Sequence, residues 1–289
     1  MYTIENELLK VTMRTKGAEL DSIYHKKEQL EYLWSGDAAF WGKKSPVLFP
    51  IVGTLKNDAY FFKGKEYKLG RHGFARDMEF TVSRQETDSI TLTLKSNEDT
   101  LQKFPFAFRF DIIYSIKDNY LVVAYHIVNM GDEEMYFSVG AHPAFKVPLT
   151  AGVSYEDYSL VFNNVEDAPR WPISKDGLIE ETPMLLLEHT DTLPLRKELF
   201  FKDALVFKHL QSDKITLQSS TSPHGWSVSF PGFPYMGIWA AKNADFVCIE
   251  PWCGIADGVG SDQQLEHKEG IIRLDAKGVF ACRWTLQTW

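Results

Sequence analysis

Three stretches of the sequence hold titratable side chains in company that packing alone does not explain. In Phe246-Val247-Cys248-Ile249-Glu250-Pro251-Trp252 a carboxylate follows four apolar residues and precedes Pro and Trp. Burying an ionised carboxylate costs several kcal/mol unless it is paired or hydrogen-bonded, so Glu250 is expected to have a task. A structural ion pair with an arginine is the bland alternative. In Ser138-Val139-Gly140-Ala141-His142-Pro143-Ala144-Phe145 the only titratable group is the His142 imidazole. Beside Pro, at what reads as a strand end, it projects from the ladder; a hydrogen-bonded core histidine would read the same way. In Gly70-Arg71-His72-Gly73-Phe74-Ala75-Arg76-Asp77, glycines bracket a histidine and an arginine and allow close approach to a ligand, although a solvated turn fits too. An imidazole with a pKa of about 6.5, and a Glu raised toward that range by partial desolvation, can exchange protons near neutral pH.

Other chemistries lack their signatures. GxxxxGK[ST], HExxH, GxSxG and the calcium-loop pattern are absent, and Gly254, Gly258 and Gly260 do not follow dinucleotide-binding spacing. Cys248, Cys253 and Cys282 are odd in number and lack CxxC spacing, which argues against a disulfide framework or zinc ribbon. Cys248, alone in an apolar strand, reads as inert packing. The net charge of −8 disfavours nucleic acid and anionic membranes as partners. Without a long apolar span or a leader-like amino terminus, a reducing cytoplasm is the expected compartment.

The elements that must position these groups are strands. Ile90-Thr91-Leu92-Thr93-Leu94 and Ile215-Thr216-Leu217-Gln218 alternate, and Gly64 and the polar Lys117-Asp118-Asn119 separate two pairs of strands as hairpin turns. Helix is expected only at Asp37 to Trp41 and at Asn97 to Lys103, the latter capped by Asn97. Many strands at short intervals, with no linker or repeat, predict an all-β sandwich or barrel and one domain over 1–289. The stretch from about Asp167 to Pro194 reads as an irregular surface excursion.

Taken together, FPIVG at Phe49 to Gly53, HGFARD at His72 to Asp77, GAHPAF at Gly140 to Phe145, DALVF at Asp203 to Phe207 and CIEPWCGIAD at Cys248 to Asp257 resemble the aldose 1-epimerase (galactose mutarotase) family, in particular its LacX-like branch. The motifs occur in family order across nearly the whole chain. The resemblance implies a large antiparallel β-sandwich, a galactose mutarotase-like supersandwich with a few short helices, and interconversion of the α and β anomers of an aldose. It implies His142 as general acid at the ring oxygen, Glu250 as general base at the C1 hydroxyl, and His72 as a second histidine near the ring oxygen. Arg76 and Asp203 are implied to face the substrate and Trp239 to line the cleft, with Trp252 a weaker aromatic nominee. No metal, nucleotide or redox cofactor is implied; the only partner is a small-molecule sugar, and monomer and homodimer stay undetermined.

Where many relatives carry arginine, this chain has Thr54, so a donor to the sugar is either lost or supplied by Lys56, Arg71 or Arg76. Competing readings are a hexose-phosphate mutarotase, a non-catalytic carbohydrate-binding sandwich, a cupin-like metal site at His72, His142 and Glu250, and a glycosidase using Asp203 with Glu250. The mutarotase reading requires His142 and Glu250 to face each other across a gap the width of one pyranose.

Overall fold

The computed structural model describes residues 1–289. With 48% of residues in strands and 8% in helices, the fold is a large antiparallel β-sandwich. Its largest sheet has nine strands, in the spatial order Met184–Pro194, Tyr158–Arg170, Lys214–Ser219, Trp226–Ser229, Val279–Thr288, Tyr120–Asn129, Phe108–Lys117, Ser89–Lys95 and Thr81–Gln85. Period-two alternation sets one face of the long central strands. Phe110, Ile112 and Tyr114 lie opposite Ile127, Tyr125 and Val123, and all six are buried.

Against this face lies a five-stranded sheet built on Phe246–Cys253, with Tyr235–Trp239 and then Leu205–Lys208 on one side. On its other side are two short strands, Val139–Gly140 and Ala144–Lys146. The sheets meet where Phe145 packs on Trp226, ring centroids 4.5 Å apart. One contiguous core of 72 buried residues runs from Ile4 to Leu286.

Both expected hairpins form, as Ala59–Phe62 with Lys65–Lys68 and as Phe108–Lys117 with Tyr120–Asn129. Glu98–Lys103 is helical, and Asn97 and Thr100 close its first turn by a reciprocal capping box. Asp37 to Trp41 is instead a turn: the Asp37 carboxylate accepts from the Ala39 N–H and its carbonyl from Phe40 and Trp41. Most of the supposed excursion from Asp167 to Pro194 is also ordered differently. Its ends belong to the edge strand Met184–Pro194 and to its neighbour Tyr158–Arg170, and three register shifts break the alternation by which strands are recognised. Pro169 is tolerated there because the strands run at the sheet margin. No helix is long and apolar enough to cross a membrane.

Candidate active site

The register of one strand brings His142 to Glu250. Gly140 pairs with Trp252 and Ala144 with Cys248, so the interrupted ladder between them sets residue 142 opposite residue 250. The Ala141 N–H donates to the Pro251 carbonyl at 3.0 Å and the Ile249 N–H to the Pro143 carbonyl at 3.3 Å. These bonds flank a pair that exchanges none of its own, the cross-strand position at which side chains come closest. His142 Nε2 accordingly lies 3.3 Å from Glu250 Oε2. The expectation that they face each other across a pyranose-wide gap is therefore wrong: they stand side by side on the floor of a cleft. The physical reason lies in the reaction, since the hydroxyl and ring oxygens of a cyclic sugar are both bonded to C1, and two proton-transfer groups serving them must be neighbours.

The cleft has a volume of about 470 Å³, within the size class of small-molecule sites. Glu250 is 2% exposed and His142 8%. Burial pushes the Glu250 carboxyl well above the ordinary carboxylate range, Asp203 pushing the same way and Arg71 opposing. Burial, reinforced by Arg71 and Arg76, pushes the His142 imidazole down to about 3, against a raising contact with its own backbone. Its Nδ1 has no side-chain partner. Burial thus works against the charged form of both groups.

His72 reaches the same floor from a different loop. Its ring meets that of His142 edge-on, centroids 5.8 Å apart. Two reciprocal bonds hold it to the FPIVG segment: its N–H donates to the Gly53 carbonyl at 2.8 Å, and the Gly53 N–H donates to its Nδ1 at 3.0 Å. An Nδ1 that accepts a hydrogen bond carries no proton, so the neutral ring is the Nε2–H tautomer. Burial first, then His142, Arg71 and Arg76, keep it from charging. The Phe49 ring anchors this loop among Phe74, Phe104, Phe108, Phe110 and Phe137.

The turn at His72 depends on Gly73. Its φ is +71°, and a Cβ there would lie 2.3 Å from the Phe49 carbonyl oxygen and 2.6 Å from its carbon. Neither backbone atom can retreat cheaply. Gly73→Ala is therefore expected to lose about 2–3 kcal/mol of stability, read as a lower denaturation midpoint in urea.

The remaining expected residues lie in the same cleft. Trp239 pairs with Cys248 and sets its ring edge-on to His142, 5.7 Å between centroids. Arg76 lines the wall and donates from Nη2 to the Arg71 carbonyl at 2.9 Å. Asp203 lies 4.0 Å from Arg71 Nη2. Trp252 also lines the cleft, its ring against Gly237. Of the three proposed replacements for a donor at position 54, Lys56 is committed elsewhere: its Nζ donates to the carbonyls of Val259 and Ser261 at 2.9 and 3.1 Å. Arg71 and Arg76 are left at the cleft, and Gly177 packs directly over Thr54.

Two contributors were not read from the sequence. Trp41 stacks on His142, centroids 4.9 Å apart and planes at 26°, and is held by the Trp34 indole N–H donating to its carbonyl at 2.9 Å. Its one sequence signal is the Asp-led turn before it. Cys248 is core packing, as read, but it packs directly behind the pair: its Sγ and the donor atoms of His142 and Glu250 lie within 4.8 Å of one another. Burial first and Glu250 second push the thiol pKa up, which keeps it protonated and poorly nucleophilic.

The sequence pattern of the family described as aldose 1-epimerase matches residues 1–268. The chain belongs to the aldose 1-epimerase family. Its relatives include the plasmid protein LacX of Lactococcus lactis subsp. lactis, 34% identical over 283 residues that cover 94% of this chain and 93% of that protein. A galactose mutarotase related enzyme from Lactobacillus acidophilus superposes with a TM-score of 0.95 at 37% identity, covering 100% of this chain and 97% of the other. A galactose mutarotase-like protein from Lactobacillus casei ATCC 334 gives 0.94 at 32% identity, with 100% of both chains covered. This member of the aldose 1-epimerase family is accordingly an isomerase whose substrate is a sugar and whose reaction is mutarotation.

Proposed function

We propose that His142 and Glu250 are the proton-transfer pair of this aldose 1-epimerase, that His72 holds the sugar beside them, and that residues 1–289 act as one domain. The observation that carries the reading is the cross-strand contact of 3.3 Å on the cleft floor, with the two pKa values driven in opposite directions. Glu250 takes the proton of the C1 hydroxyl as His142 delivers one to the ring oxygen. The ring opens to an aldehyde, rotation about C1–C2 presents its other face, and the groups exchange roles on closure. The neutral Nε2–H of His72 is a fixed donor for a sugar oxygen. Arg76 and Asp203 offer polar contacts, while Trp239 and Trp41 supply aromatic surface for the apolar face of the ring. The compartment is taken to be the cytoplasm and the substrate a hexose.

The pair holds one proton over a wide pH range. A second is added only near the His142 value of about 3. The last is lost only well above the usual carboxylate range. The ion-pair form that starts the reaction differs from the resting form only by movement of that shared proton. The expected profile of kcat/KM, measured by anomer-exchange NMR, is level through mildly acidic and neutral pH and falls on the alkaline side, where the site empties of its proton. A rise through about 4.3 or a fall through about 6.5, as independent groups would give, contradicts the shared-proton pair.

A further inference from the structure

Four cationic side chains stand at the cleft: Arg71 and Arg76 on the His72 loop, and Lys202 and Lys242 on other segments of its lining. The lining contains two carboxylates, Asp203 and Glu250, and burial works against the charged form of Glu250. Such an excess of positive charge is out of character for a chain with net charge −8. Nor is it consumed by the fold. Arg71 reaches Asp203 only at 4.0 Å and its side chain is 48% exposed. Arg76 is 3.7 Å from Asp77, a loose pair, and its one close bond is to the neutral Arg71 carbonyl, which leaves its charge uncompensated. Lys242 Nζ lies 5.2 Å over the Phe201 ring. Crowding of like charges is visible in Arg76, where burial first and Arg71 later lower the guanidinium pKa, against the raising influence of Asp77.

Neutral hydroxyls call for balanced donors and acceptors, whereas this lining sets four cationic donors against the two carboxylates Asp203 and Glu250. The anomeric carbon must face His142 and Glu250, so the four cations meet substituents on the other carbons of the ring. We propose that the substrate is an aldose carrying an anionic group, phosphate or carboxylate, at C4 or C6, held by Arg71, Arg76, Lys202 and Lys242. This inference rests on the anomerisation reading above and specifies its substrate class. An anionic substituent gives charge-assisted hydrogen bonds to guanidinium and attraction to the flanking ammonium groups.

The test compares kcat/KM for anomer exchange among glucose and galactose, their 6-phosphates, and the corresponding uronates, using the full chain. The expected result is a preference of roughly ten-fold or more for a charged sugar over its neutral parent. That preference narrows as salt is raised, and shrinks toward unity in Lys202→Gln/Lys242→Gln. Whether phosphates or uronates lead identifies the anion. Equal or faster exchange of the neutral sugars overturns the anionic substrate while leaving the proton-transfer pair intact, and so does a preference that survives both lysine substitutions undiminished. Failure to accelerate any sugar overturns the anomerisation reading itself, and this inference with it.

Discussion

Glu250→Gln is expected to lower kcat at least about 100-fold, with a smaller change in KM, because an amide fills the same space but cannot take a proton. His142→Asn has the same consequence for the acid. The two act as one unit, so the double variant should be little worse than either single one. Anomer-exchange NMR measures all three, and wild-type rates in either single variant remove the assignment. Stability separates loss of chemistry from loss of fold. Glu250 holds its proton to higher pH in the native state than in the unfolded chain, which releases it above about pH 4.3. The native state then binds more protons than the unfolded one, so this group's contribution to stability declines as pH rises. Gln abolishes that decline, and its amide can donate to the neutral Nε2 of His142. Glu250→Gln should therefore melt higher than wild type at pH 8, inactive but more stable. A variant that is inactive and melts lower would point to a collapsed site.

The largest loss of stability is expected at a buried ion pair next to the cleft. Lys268 Nζ lies 2.7 Å from Asp257 Oδ1 and 2.6 Å from the Ile255 carbonyl, with side-chain exposures of 2% for the lysine and 3% for the aspartate. The other carboxylate oxygen accepts from the Lys56 N–H at 2.9 Å. Lys268→Met leaves the Asp257 side chain buried, without its cationic partner and served by one backbone donor, which should cost about 3–5 kcal/mol in urea denaturation. Removing both charges in Lys268→Met/Asp257→Leu should recover part of this. The Lys56 N–H and the Ile255 carbonyl then stay unpaired at about 1–3 kcal/mol each, which keeps the double variant below wild type. Loss of less than about 1 kcal/mol in Lys268→Met would show that water reaches Asp257 and that the pair is not sealed.

The sequence made the candidate groups legible because each breaks a local rule. Glu250 sits in an apolar strand, His142 precedes proline, and His72 lies between turn-forming residues. Alternation likewise revealed the central strands, where one face is buried and the other half-exposed. Their mutual arrangement was hidden for a physical reason. Placing residue 142 beside 250 depends on two short strands sharing one neighbour, a pairing set by tertiary packing and not by any local pattern. Trp41 was hidden likewise, since nothing in its own segment specifies the histidine on which it stacks. The edge hairpin of Tyr158–Arg170 and Met184–Pro194 escaped because its bulges erase the period-two signal.

The burial of the cleft floor has a bearing on the intermediate. Once a bound ring has opened, Glu250 has gained a proton and His142 has lost one, so neither carries charge. That is the condition which the low-dielectric surroundings favour for both groups. The same desolvation that makes the charge-separated starting form costly makes Glu250 a stronger base and His142 a stronger acid. The bound ring in its resting form and the bound aldehyde thus meet the same uncharged pair, so the floor shapes the barrier between them and leaves the ring–chain balance of the sugar unshifted.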